Sequence, residues 1–229
     1  MSARVELQPA YLLSLRPYRD SSVLLEALTP EYGRVGLVAR GIRSPKSRLR
    51  GVLQTFTPLW LDWQRRGELG SLRSAEARAA PVALAGDRVF YGWYCNELLL
   101  RLLTRDDPQP RIYALYDTLL PQLTEASDTA HATLRIFEKR LLTELGYALT
   151  LPADLQPEQR YLYDWERGPL PAVRGYLGSS LMALRDEHLS DARARSDARH
   201  LLQQALRRQL GEAPLRSVEL LRQLKTARN

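Results

Sequence analysis

Six cations share one acid-free stretch of the chain. Arg34, Arg40, Arg43, Lys46, Arg48 and Arg50 lie between Glu31 and Asp62, and from Tyr32 through Leu61 there is no Asp, Glu or His. Cationic groups recurring every few residues in an extended loop suit a phosphate backbone, whose charges repeat along the strand. Residues 1–80 hold 13 Lys and Arg against 7 Asp and Glu, a net of +6, whereas residues 81–229 hold 20 against 19. Almost the whole formal charge of +7 therefore sits in the first third of the chain. An excess concentrated in this way is the footprint of a polyanion binder, most often one for nucleic acid. The plainer alternative is a solvated loop kept soluble by its charge, and the missing acids count against it.

Within the segment Val38 to Gly51, Gly41 and Gly51 let the backbone bend, and Ser44 and Ser47 can donate to phosphate oxygens. Tyr18, Tyr32, Phe56, Trp60 and Trp63 are available for base stacking. A regular strand cannot put Trp60 and Trp63 on one face, so most of these rings are expected to fill a core.

Other chemistries have no residues to carry them. The chain has no GxxxxGK[ST] loop, no HExxH and no GxSxG, and Gly33, Gly36 and Gly41 lack dinucleotide spacing. His131, His188 and His200 stand singly, and Cys95, the lone cysteine, falls among apolar helix positions as an inert core thiol. Asp106-Asp107 precedes Pro108 and reads as a helix terminus. The expectation is a protein that is not an enzyme and has no cofactor and no metal. One cysteine suits a reducing cytoplasm. No 18-residue apolar run and no signal core are present. A pI near 9.7 suits nucleic acid but also an anionic membrane surface.

The elements that must position the cations change character near residue 80. Residues 4–75 read as short strands, including Leu53 to Trp63, split by turns such as Thr29-Pro30-Glu31-Tyr32-Gly33 and Arg65-Arg66-Gly67. Five strands in about 70 residues suit a five-stranded OB-fold barrel. After Pro81 the period becomes helical: Val89 to Leu103, Ile112 to Leu123, and a third helix with Asp128 as N-cap and Gly146 as C′ residue. Two shorter helices are predicted at Asp197 to Leu210 and Leu215 to Lys225. Around 150–175, alternating Tyr161, Tyr163 and Trp165 before Arg167-Gly168 predict a small β-hairpin. The fold class is α+β: a barrel domain over 1–80 and an α-helical, partner-docking domain over 81–229.

The runs Leu15-Arg16-Pro17-Tyr18-Arg19-Asp20-Ser21-Ser22, Leu28-Thr29-Pro30-Glu31-Tyr32-Gly33-Arg34-Val35, Val38-Ala39-Arg40-Gly41 and Leu49-Arg50-Gly51-Val52-Leu53-Gln54 occur in order. So do Asn96-Glu97-Leu98-Leu99, Leu134 to Leu142, Leu145-Gly146-Tyr147 and Pro214-Leu215-Arg216-Ser217. No one run is diagnostic, but the ordered series resembles the bacterial recombination mediator family RecO over nearly the whole chain. The resemblance implies an N-terminal OB-fold, a C-terminal helical domain and a cytoplasmic, nucleoid-associated role in RecF-pathway recombinational repair. It implies binding and annealing of single- and double-stranded DNA, engagement of RecR and of the acidic tail of single-stranded DNA-binding protein (SSB), and, indirectly, RecA loading. Many relatives carry a four-cysteine zinc module after the Leu-Gly-Tyr motif; this chain has no cysteine there, so the hairpin stands in its place. By the same resemblance Arg135 would meet the tail carboxylate from the rim of an apolar pocket, with Lys139 four residues on in support. A charged helix surface is the simpler account of those two residues. An RNA-binding OB protein of translation or RNA metabolism and a basic peripheral membrane adaptor are the competing functions. The second wants a basic amphipathic helix, yet the excess charge sits in β-loops.

Overall fold

The structure, a computed structural model, describes residues 4–42, 47 and 49–228. Five strands come first: β1 (Arg4–Tyr18), β2 (Ser22–Thr29), β3 (Gly33–Ala39), then the short helix α1 (Leu49–Val52), β4 (Leu59–Arg66) and β5 (Leu69–Ala77). They close into a barrel in the order β1-β2-β3-β5-β4, antiparallel except where β3 meets β5. This is the OB-fold order expected from the sequence. Then come α2 (Arg88–Leu102), α3 (Pro110–Gln122), α4 (Ser127–Glu144), β6 (Arg160–Asp164), β7 (Gly168–Ala172), β8 (Tyr176–Leu177), α5 (Gly178–Arg185), α6 (Ala192–Leu210) and α7 (Arg216–Arg228).

Strand alternation builds the barrel core. Ala10 and Leu12 of β1, Leu25 and Ala27 of β2, Leu37 of β3 and Leu59, Leu61 and Trp63 of β4 point inward together. Bulges at Val5/Gln8 and Leu12/Ser14 bend β1, so that it pairs with β4 through its first half and with β2 through its second. Trp63 lies in the core, with Tyr32 edge-on to it at 5.3 Å. Trp60 points the other way and receives Arg78 over its ring at 5.9 Å. The strand expected over Leu53 to Trp63 begins only at Leu59. Phe56, at φ 62, turns the chain out of the extended region just before it.

The chain forms two compact units, Met1–Leu120 with Pro214–Asn229, and Pro121–Ala213. Secondary structure changes between β5 and α2, near the residue 80 boundary read from the sequence. The first unit nevertheless continues past it, because the outer side of β1 is itself apolar and needs cover. Tyr11 packs against Tyr113 and Tyr116 of α3 at 5.8 and 5.2 Å. Asn96 Nδ2 of α2 donates to the Leu13 carbonyl at 3.0 Å, and Tyr116 Oη donates to Asn96 Oδ1. Tyr11 Oη donates to Asp117 Oδ1 at 2.6 Å.

The second unit holds α4, α5, α6 and a three-stranded sheet in the order β7-β6-β8. The expected hairpin is its β6–β7 pair, turned by Asp164 Oδ1, which accepts from the Glu166 and Arg167 amides at 2.9 and 2.8 Å. Helix α4 ends as its sequence predicts. Gly146 has φ 84, its amide reaches the Thr143 carbonyl, and the Tyr147 amide reaches Leu142. Its start differs: Ala126 is the N-cap, and Asp128 lies in the first turn, paired with Arg195 at 2.9 Å. Helix α6 begins before the predicted Asp197, because Asp191 caps it by accepting from the Ala194 amide at 2.8 Å. Helix α5 was not expected.

Candidate nucleic-acid interface

The cationic loop leaves the barrel beside the β1–β2 turn. The pairings Pro17↔Val23, Tyr18↔Ser22 and Val23↔Ala39 put the end of β1, the start of β2 and the end of β3 at one rim. Arg40, the first residue past β3, is exposed there, as are Arg16 and Arg19. Arg19 lies 5.3 Å over the Tyr18 ring. The loop is anchored at both ends. Ile42 is buried in the barrel core at one end, and Leu49, Val52 and Leu53 pack on it at the other. Their i, i+3, i+4 spacing turns the opposite face of α1 outward, and Arg50 is exposed on that face. Arg43, Lys46 and Arg48 lie outside the described residues.

Arg34 belongs elsewhere. It sits near the start of β3, six residues before Arg40, so the two are about 20 Å apart at roughly 3.3 Å per strand residue. Arg34 Nη1 lies 3.6 Å from Glu26 Oε2 and donates to the Leu100 carbonyl at 3.0 Å. Arg105 also binds Glu26, through Nε and Nη2. Burial pulls the Arg34 pKa down, partly countered by Glu26. A run without acids in sequence thus has an acid across the sheet: Glu26 pairs with Gly36, two residues from Arg34. The guanidinium expected to act with the loop cations is held by Glu26 and the Leu100 carbonyl inside the first unit. Arg16 and Arg19 are the rim cations that sequence reasoning did not assign to DNA. Only the strand register reveals them, since they precede Arg40 by more than twenty positions. Asp20, in the same turn, is the rim's nearby acid.

Among the described residues no group of three or more His, Cys, Asp and Glu could hold a metal, and no helix is long and apolar enough to cross a membrane.

A family model for the N-terminal part of recombination protein O matches residues 1–80, and one for its C-terminal part matches 84–161. DNA repair protein RecO of Coxiella burnetii is 41% identical over 232 residues, covering 96% of this chain and all of the relative. The RecO of Nitrosococcus oceani is 41% identical across 99% of this chain and 96% of its own length. That of Alkalilimnicola ehrlichii is 44% identical across 96% and 92%.

The chain belongs to the RecO family. The role that comes with the family is DNA repair by recombination, and the barrel matched by the N-terminal family model is the part that carries the basic rim.

The two helix residues inferred from the RecO resemblance are held within the second unit. Arg135 was expected exposed at the rim of an apolar pocket. It is instead 8% exposed, and its Nη2 lies 2.9 Å from Glu138 Oε1, a fully buried carboxylate one turn along α4. Helix α6 packs against α4 in the same unit, and the Arg135 side chain is drawn into the buried pair with Glu138. Lys139 Nζ donates to the Arg185 carbonyl at 2.7 Å and to Glu187 Oε1 at 3.0 Å. Arg140 joins it on Glu187. Burial raises the Glu187 pKa, but the hydrogen bonds from Arg140 and Lys139 outweigh it and leave the carboxyl below its ordinary value.

Proposed function

We propose that this chain is a non-enzymatic recombination mediator of the RecF pathway that binds DNA through the barrel rim. The loop residues Arg40, Arg43, Lys46, Arg48 and Arg50 contact phosphates, and Arg16 and Arg19 extend the contact along the β1–β2 turn. One observation carries the reading: an acid-free basic loop, pinned at Ile42 and Leu49, leaves a closed barrel next to two further exposed arginines. Backbone contact of this kind accepts single and double strands alike and holds two strands close enough to pair. Through such contacts the protein anneals complementary strands. With RecR, and by engaging the SSB tail, it assists RecA loading in the cytoplasm. Arg135 and Lys139 serve the SSB tail only by exchange: the tail carboxylate takes the place of Glu138 on Arg135.

The test is strand annealing. Complementary fluorescent DNA strands are mixed with wild type and with the Arg40→Ala, Arg43→Ala, Lys46→Ala, Arg48→Ala quadruple variant. The wild type accelerates pairing and the quadruple variant does not. Equal annealing by both would overturn the assignment, and a preference for matched RNA strands would favour the RNA-binding reading instead.

A further inference from the structure

Charge is nearly balanced over residues 81–229, at 20 cations against 19 acids, but it is not evenly spread. Helix α6 holds five arginines, Arg193, Arg195, Arg199, Arg207 and Arg208, against Asp197 alone. Its net of +4 leaves the rest of that stretch acidic by three. The apolar side of the helix, which includes Ala198, Leu201, Leu202 and Ala205, is buried within the second unit. The side turned to solvent is polar in every turn, through Arg193, Ser196, Arg199, His200, Gln204 and Arg207. Arg193 and Arg207 are 14 residues apart, so this row runs for about 21 Å at 1.5 Å per residue. At its end Arg208 lies 5.0 Å over the ring of Trp165, which Tyr163 meets edge-on at 5.1 Å.

Helix stability does not explain these cations. Arg207 and Arg208 suit the last turn, where the helix dipole favours positive charge. Arg193 stands in the first turn, where the dipole disfavours it, and its pair with Asp197 is 3.8 Å long. Arg199 is in mid-helix, beyond the reach of either end. Arg195 is taken by Asp128, but among the described residues neither Arg199 nor Arg207 has an ion-pair partner. Glu166, the acid beside Trp165, is followed at once by Arg167. We propose that this face of α6 binds a second nucleic-acid strand while the barrel rim holds the first, with phosphates on Arg193, Arg199, Arg207 and Arg208 and a base against Trp165. The proposal rests on the annealing reading, since pairing is accelerated when one protein holds both strands. A strand carries a charge and a ring at every link, which matches a row of cations ending on an indole. A lipid surface is disfavoured because α6 has no large exposed apolar residue to insert.

The experiment uses the full chain, fluorescein-labelled oligothymidines of about eight nucleotides, and complementary strands for annealing. Wild type should take up two oligothymidines per chain. The Arg199→Gln, Arg207→Gln, Arg208→Gln variant should take up one, with an affinity within about twofold of the first site of wild type. The same variant should anneal complementary strands at least about tenfold more slowly, with an unchanged circular-dichroism melt. Trp165→Phe keeps the charges and a stacking ring, and should remove the tryptophan quenching that accompanies the second strand. That measurement decides the matter if the triple variant fails to fold. Two strands on the triple variant, undiminished annealing, or quenching that survives Trp165→Phe would overturn the proposal. So would polyglutamate or phosphatidylserine vesicles binding through these arginines more tightly than oligothymidine does, which would give the face to an acidic protein or a membrane. Failure of the rim reading shows itself differently: the four loop substitutions would then leave the first strand bound as in wild type, whatever happens at α6.

Discussion

Arg34 Nη1 stands 3.6 Å from Glu26 Oε2 in the strand that, six residues later, delivers Arg40 to solvent. One strand therefore carries two arginines with opposite duties. The first neutralises a carboxylate that is nearly buried and also bound by Arg105. The second opens the basic loop. Arg34→Ala should destabilise the first unit by about 2 kcal/mol, since it leaves a buried carboxylate with one partner fewer and the Leu100 carbonyl without its donor. Urea unfolding measures the loss. The same variant should keep the wild-type salt dependence of DNA binding.

Glu97 caps α7 from outside the helix, on two backbone amides and the Ser217 hydroxyl. Glu97→Ala removes the anion from a helix N-terminus and should cost about 1 kcal/mol. The effect should be local. Hydrogen exchange should accelerate in the first turns of α7 and stay slow in the barrel strands.

Gly146, at φ 84, closes α4 with nothing within 4 Å of where a Cβ would stand. Space is thus no obstacle to a side chain and conformation alone is. Gly146→Ala should destabilise the second unit by about 1 kcal/mol in a chemical denaturation curve. Gly33→Ala should be worse, because it combines φ 64 with the Asp107 carbonyl 1.9 Å from the same point.

Burial, opposed by Arg78 and assisted by Asp117, pushes the Tyr113 phenol up from 10.0 to about 12. The fold therefore favours the neutral phenol. Its contribution is fully present below pH 10, declines as the unfolded chain ionises, and is lost as pH rises through about 12. Urea midpoints of the wild type should fall across that window, and those of Tyr113→Phe should fall less steeply. Parallel curves would remove Tyr113 from the alkaline transition.

Much of the fold was legible because local chemistry and tertiary need agreed. Turn residues and period-two apolar runs marked the barrel, and Gly146 marked the end of α4. The misses have one source, contacts made far along the chain. Nothing near Phe56 announces the backbone reversal that delays β4. Ala126, rather than Asp128, is the N-cap of α4, and Asp128 in the first turn pairs instead with Arg195 from far along the chain. Arg34 looked like part of the loop because its carboxylate partner comes from the neighbouring strand. Arg135 looked like a rim residue because periodicity shows an apolar stripe but not that Glu138, also off that stripe, is buried and draws the guanidinium in. Conversely, Arg16 and Arg19 join Arg40 only through strand register.

The salt dependence of single-stranded DNA binding tests the central claim most directly. With Arg16, Arg19, Arg40, Arg43, Lys46, Arg48 and Arg50 engaged, log K against log salt should slope at roughly −5, at about −0.7 per neutralised phosphate. The Arg40→Ala, Arg43→Ala, Lys46→Ala, Arg48→Ala variant should flatten it to about −2 while folding normally. A quadruple variant with the wild-type slope and affinity would contradict the assignment of DNA binding to this rim.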